Sequence, residues 1–309
     1  MARCGGASKS ANAGGCVDML TGEDQIIFPA RNYDLSATLD SGQAFRWQRQ
    51  GDAWAGVIGV NWVCLSSRAD SIVAQTAGPV ANWDWLGHYL QIQTDLESVL
   101  ATFPDDEPMR AAVNACGGLR LLRQDPWECL ASFILSSTKQ IVQIQQIIGL
   151  LCERYGTPIA TPHGSAPAYA FPTPAQLAVA TEAGLRGCKM GFRAPYLLAT
   201  ARMIKRGEIN LARLPDLPLA DARAELLKFP GVGRKIADCV LLFACGFQAA
   251  FPVDVWVMKA LRQLYFARRQ PRPQRLLKFT ETYFGRHAGY AQQYLFHYMR
   301  TQGRLLRRQ

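Results

Sequence analysis

Residues 220–256, ADARAELLKFPGVGRKIADCVLLFACGFQAAFPVDVW, leave few folds open to this chain. The pattern predicts a short helix over about 220–229, a tight turn at Pro230-Gly231-Val232-Gly233, and a second helix over about 234–245. Two glycines within three residues interrupt helical periodicity and force a sharp turn. Such a turn leaves unpaired N–H groups at the start of the second helix, where the helix dipole also favours an anion. Gly231, Val232 and Gly233 are therefore candidate phosphate ligands. A plain turn between two helices would favour glycine as well. The second helix is apolar on nearly every side, which marks it as buried. Lys235 stands near its entrance, where a solvated lysine would be out of place.

Desolvation and the helix dipole both disfavour an ammonium at that position, and a neutral amine is a nucleophile able to form a Schiff base. Asp254 follows in FPVDVWVM, an almost wholly apolar setting just before a predicted helix. Each residue has a plainer reading, Asp254 as an N-cap and Lys235 as a phosphate clamp. Together, around one buried helix, they form a nucleophile with a carboxylate that can accept its proton or stabilise positive charge at a sugar.

The 309 residues suffice for two or three domains, and 49% apolar content excludes global disorder. A net charge of +10 points to a polyanionic partner. The nine cysteines are scattered, with no CxxC pair, zinc spacing or four-cysteine cluster loop, as suits free thiols in a reducing interior. There is no membrane-spanning run and no secretory segment.

Residues 1–23 read as a disordered segment. Residues 24–107 read as an antiparallel β domain, with three short strands at 45–48, 54–58 and 61–65 and one wet face. Helices dominate from 108 to 300, beginning with an Asp125 cap and Pro126. Proline-rich loops are expected at 157–174 and, with many arginines, at 267–275. Residues 301–309 form a basic tail.

Five separated motifs, in order, carry a resemblance. They are Ser41-Gly42-Gln43-Ala44-Phe45-Arg46-Trp47, Gln124-Asp125-Pro126-Trp127-Glu128-Cys129, Gly191-Phe192-Arg193-Ala194, the Gly-Val-Gly hairpin with Lys235 and Asp254, and Ala291-Gln292-Gln293-Tyr294-Leu295-Phe296. Over roughly residues 25–300 the chain resembles the 8-oxoguanine DNA glycosylase/AP lyases of the helix-hairpin-helix superfamily. That implies an α+β protein, with an N-terminal antiparallel β domain (TATA-binding-protein-like) followed by an all-α helix-hairpin-helix glycosylase core of two helical subdomains. It implies a monomer acting on double-stranded DNA that contains 8-oxoguanine, inside the cell and associated with DNA.

By the same resemblance, Lys235 attacks the anomeric carbon of a flipped nucleotide and Asp254 is its acidic partner. The Gly42 carbonyl accepts from the ring N–H that separates 8-oxoguanine from guanine, Gln292 reads the Watson–Crick edge, and Cys239 and Phe296 sandwich the base. Phe192 wedges into the duplex beside the gap, and Arg193 faces the estranged base. No cofactor is required, although carbonyls near Leu227, Phe229 and Val232 are a candidate cation site, as in relatives. Thr138 and Gln143 stand where eukaryotic relatives have an asparagine and a cytosine-reading arginine, so a relaxed opposite-base preference is expected. A histidine of many relatives is Trp256 here. Two other readings remain open from the residues, an alkylated-base glycosylase, which typically lacks the lysine, and a non-catalytic DNA-binding module.

Overall fold

The computed structural model describes residues 24–266 and 271–305. The expected disordered segment before residue 24, residues 267–270 of the expected basic loop and the last four residues of the tail lie outside the described residues.

The N-terminal unit is built on a five-stranded sheet in the order β1-β5-β4-β3-β2, with β1 Gln25–Pro29, β2 Gln48–Gln50, β3 Ala53–Ile58, β4 Asn61–Arg68 and β5 Ser71–Thr76. Every pairing is antiparallel. Gly51 and Gly59, at φ +60° and +58°, take the left-handed turn positions that β-branched residues avoid. Two of these strands, β1 and β5, were not expected from the sequence. β5 is buried along almost its whole length, so it lacks the alternation that marks a half-wet strand.

The expected strand at 45–48 is mostly irregular and joins the sheet only at Gln48. Its side chains serve different layers. Phe45 packs into the helical core and Trp47 into the sheet's core. Arg46 pairs with Glu128 at 3.5 Å and donates to the Tyr169 carbonyl. The expected wet face is also partly covered. Ala53, Ala55, Trp62 and Cys64 meet Ile159 and Ala168 from a small hairpin, Pro158–Ile159 paired with Ala168–Tyr169, within the stretch expected to be only loop.

The helical unit grows from local signals. Pro126 opens the helix Pro126–Leu135, and the Asp125 carboxylate accepts from the Glu128 N–H at 2.8 Å. The helix Arg234–Phe243 buries eight residues, Ile236 to Phe243, and packs on Pro126–Leu135. Burial of its large apolar side chains contributes about 1.5–3 kcal/mol each. The expected subdomains share one continuous apolar core, which also takes in Leu96 and Val99 from ahead of residue 108. The final helix, Ala288–Leu305, runs past Met299 into the expected tail.

Candidate active site

Three elements converge on a cavity of about 730 Å³ between the two units. The 41–43 turn supplies Gly42, the Arg234–Phe243 helix supplies Lys235 and Cys239, and the last helix supplies Gln292, Phe296 and Arg300. Thr138 and Asp254 also line it. Seven residues singled out in the sequence thus share one cavity, although they span positions 42 to 296.

Lys235 is half-buried, with Nζ 4.8 Å from the centre of the Phe133 ring. Nζ donates to Ser136 Oγ at 3.3 Å, while the Ser136 hydroxyl donates to the Phe133 carbonyl at 2.7 Å. The hydroxyl proton is thereby turned away, and an oxygen lone pair faces the amine. Asp254 caps the helix Val255–Ala260, accepting from the Val257 N–H at 2.8 Å. Burial pushes its carboxyl above the ordinary carboxylate range, against the opposing pull of the Val257 N–H and of Lys235. The cap reading and the chemical one are therefore compatible at Asp254. Lys235 and Asp254 face the same cavity without forming a close ion pair. Cys239 lies one turn beyond Lys235, and burial holds its thiol protonated by raising it to about 12.

Gly42 sits at φ +78°, and a Cβ there would lie 3.0 Å from Ile141, 3.2 Å from Arg300 and 3.4 Å from Phe296. Backbone conformation and space both demand glycine. Its turn is fixed by amides on either side. The Gln43 side chain reaches the Thr38 and Arg120 carbonyls at 3.0 and 2.8 Å and accepts from the Leu122 N–H at 2.8 Å. Gln293 donates to the Ser41 carbonyl at 2.9 Å. Gln292 is 4% exposed, and its Oε1 has no hydrogen-bond partner among the described residues. A buried acceptor left open costs about 1–3 kcal/mol, which a ligand donor would recover.

Phe192 and Arg193 lie outside the cavity lining. Phe192 is 54% exposed, whereas Arg193 is buried, stacked on the Phe192 ring at 4.2 Å. Arg193 Nη2 donates to Thr138 Oγ1 at 2.7 Å. Thr138 is held at φ +57°, a strained conformation for a β-branched residue. Gln143 does not reach the cavity either. Its Oε1 accepts from the Gln140 N–H at 3.1 Å and caps the helix Ile141–Tyr155.

At the hairpin, Gly231 and Gly233 are exposed, but Val232 is buried and its N–H is turned inward onto the Phe229 carbonyl at 3.1 Å. Gly231 sits at φ +75°, and a Cβ there would lie 2.6 Å from the Tyr196 ring. Tyr196 also meets Phe192 edge to face at 6.4 Å, so one aromatic ring joins the exposed Phe192 to the hairpin. Among the described residues, no cluster of His, Cys, Asp and Glu could hold a metal ion, and no helix is long and apolar enough to cross a membrane.

Sequence reasoning missed Ser136 and Phe133 as neighbours of Lys235, and Arg300 as a wall of the cavity. The signal for Arg300 was present, since Gln292, Phe296 and Arg300 recur at helical i, i+4 spacing.

A hairpin between two helices, a half-buried lysine and an aspartate facing one cavity, and an exposed aromatic at a helix break define a DNA glycosylase of the helix-hairpin-helix class. The match to known families agrees with this. Residues 25–130 match the 8-oxoguanine DNA glycosylase N-terminal domain, and residues 131–285 match the HhH-GPD superfamily of base excision DNA repair proteins. The chain belongs to the HhH-GPD superfamily of base excision DNA repair proteins, with an N-terminal domain of the 8-oxoguanine DNA glycosylase type.

It is similar to N-glycosylase/DNA lyase OGG1 of Arabidopsis thaliana, 30% identical over 279 residues that cover 85% of this chain and 76% of that one. It is also 30% identical, over 71% of its length and 75% of the relative's, to a probable N-glycosylase/DNA lyase of Methanothermobacter thermautotrophicus. Among solved structures, 8-oxoguanine glycosylase/lyase of Clostridium acetobutylicum bound to DNA with cytosine opposite 8-oxoguanine superposes with a TM-score of 0.86, at 33% identity, over 92% of this chain and 98% of that one.

Proposed function

We infer that the protein is a bifunctional base-excision enzyme that removes 8-oxoguanine from duplex DNA and nicks the abasic strand. The observation that carries this reading is Lys235 in the lining of one cavity with Gly42, Gln292 and Asp254. A binding module needs no amine inside such a cavity, and a water-dependent glycosylase needs only the aspartate.

In this reading the exposed glycines of the hairpin seat a phosphate and Phe192 fills the space left by the extruded base. The purine enters between the Cys239 thiol and the Phe296 ring. Its N7–H donates to the Gly42 carbonyl, and guanine, whose N7 is an acceptor, finds only repulsion there. The open Oε1 of Gln292 accepts from the Watson–Crick edge. Lys235 Nζ attacks C1′, the C1′–N9 bond breaks, and its electron pair leaves with the base. The Asp254 carboxylate stabilises positive charge on the sugar, and the proton that the attacking amine gives up neutralises the departing base anion. Ring opening yields a Schiff base, loss of a C2′ proton follows, and the 3′ phosphate departs.

The hairpin carbonyls of Leu227, Phe229 and Val232 are oxygen donors of the kind a hard cation takes. Phe229's carbonyl already accepts the Val232 N–H, which leaves one lone pair for an ion. A cation held there would add positive charge beside the phosphate, and no step of the chemistry depends on it. The protein works wherever the cell keeps its DNA.

The test is a duplex with a single 8-oxoguanine, followed for released base and for strand scission in parallel. The account expects both products with the intact protein. Release of 3-methyladenine from alkylated DNA without 8-oxoguanine release would favour the alkylated-base reading instead.

A further inference from the structure

Arg300 occupies an unusual place for a cation. It lines the cavity on the same helical face as Gln292 and Phe296, and its side chain is 7% exposed. Its Nη2 pairs with Asp40 Oδ1 at 3.0 Å, and Asp40 lies two residues before Gly42. Its Nη1 lies 3.2 Å from where a Cβ on Gly42 would stand, and its guanidinium carbon is 6.0 Å from the centre of the Phe296 ring. The guanidinium is therefore fixed beside the glycine at the wall of the base cavity.

A guanidinium there has a definite chemical preference. In guanine, N7 is an acceptor and C8 carries only hydrogen. In 8-oxoguanine, N7 carries a proton and the neighbouring C8 carries an oxygen. A donor beside N7–H gains nothing from N7 itself, but the C8 oxygen is two bonds away. We propose that Arg300 is a second reader of the oxidised base, donating from its guanidinium to the C8 oxygen while the Gly42 carbonyl accepts from N7–H.

The contact also acts on the bond-breaking step. As Lys235 Nζ–C1′ forms and C1′–N9 breaks, the electron pair moves onto N9 and, through C8, onto the C8 oxygen. A guanidinium at that oxygen meets negative charge that grows toward the transition state, so it accelerates release more than it tightens binding. Asp40 holds the guanidinium in register from its outer side, with a side chain that is 40% exposed.

The proposal rests on the reading of the cavity as an 8-oxoguanine pocket, and the experiment separates the two. Duplexes carrying non-cleavable 2′-fluoro guanosine or 2′-fluoro 8-oxoguanosine give a ratio of dissociation constants, guanine over 8-oxoguanine, that grows with preference for the oxidised base. Single-turnover release from the cleavable 8-oxoguanine duplex gives a rate. Both are measured for the intact protein, Arg300→Met, Arg300→Lys and Asp40→Asn, with thermal unfolding of each.

Arg300→Met should lower the binding ratio by about tenfold, the scale of one charged hydrogen bond, and should lower the rate further. Arg300→Lys should recover part of both, and Asp40→Asn should show a smaller loss. If Arg300→Met does not fold, the lysine and Asp40 variants still report a partial fall in the ratio. An unchanged ratio in all variants, or a rise in the ratio with Arg300→Met, overturns the proposal, the rise because it would mean that the guanidinium addresses the N7 acceptor of guanine. Failure of the intact protein to release 8-oxoguanine would instead overturn the reading of the pocket.

Discussion

Asp254 carries two duties whose separation can be measured. As an N-cap it needs only an acceptor oxygen, which asparagine also has. As a reaction partner it needs a charge. Burial raises its folded carboxyl above the unfolded value, so the folded protein takes up this proton first as pH falls. The buried carboxylate thus opposes folding at neutral pH, and that opposition is relieved as pH drops through the raised value toward the unfolded one. Asp254→Asn should be at least as stable as the parent in a thermal melt at pH 7, while excision falls by about 10²- to 10⁴-fold. The acid limb of the rate profile should sit above the ordinary carboxylate range. Gly42→Ala faces positive φ and three side chains at 3.0–3.4 Å. It should cost more than about 1 kcal/mol in denaturant titration and abolish preference for 8-oxoguanine over guanine in a competition assay.

The hairpin is braced by charge that the sequence pattern concealed. Asp238, in the helix read as apolar nearly all round, is 1% exposed. It pairs with Arg223 at 2.7 Å and Arg234 at 3.5 Å, and Arg234 continues to Glu281 at 2.6 Å. These bonds tie the helices Leu219–Leu227, Arg234–Phe243 and Pro273–Tyr283 together. Burial raises the Asp238 carboxyl despite both arginines, yet the 2.7 Å contact leaves Arg223 dependent on it. Asp238→Asn should lower stability by about 2 kcal/mol, below the value for a fully buried pair because Arg223 retains some solvent. Chemical denaturation at pH 7 measures it. In the neighbouring loop, Gln143 caps a helix instead of facing the cavity, and Arg193 is held by Thr138. Excision opposite each of the four bases should therefore vary by no more than roughly tenfold, since Gln143 is engaged in a helix cap and Arg193 with Thr138. A cytosine-only enzyme would contradict this.

Elements with strong local signals were legible from residues alone. Pro230-Gly231-Val232-Gly233 and Asp125-Pro126 mark turns and helix starts through backbone rules that no distant contact overrides. The strand β5 was not legible because burial on both faces erases its period, and 45–48 misled because its residues serve three different layers. The pairing of Lys235 with Ser136 and the seat of Arg300 on Asp40 depend on chain separations that periodicity cannot encode.

At the scale of the whole molecule, the two units are halves of one pocket. Gly42 reaches the cavity from the N-terminal unit, and the Gln293–Ser41, Arg300–Asp40 and Arg46–Glu128 contacts hold that unit to the helices. The net charge of +10 and the exposed hairpin glycines favour a phosphate backbone. Affinity for undamaged duplex should weaken by about a hundredfold or more between about 50 and about 200 mM salt, read by fluorescence anisotropy.

The claim beneath all of this is that one amine makes and holds the bond to the sugar. Borohydride added during turnover of an 8-oxoguanine duplex freezes a Schiff base, and mass spectrometry of the digested adduct locates it. The sugar should be found on Lys235, and Lys235→Gln should bind DNA but give neither adduct nor nick. An adduct on another residue, or undiminished base release by Lys235→Gln, would contradict the account.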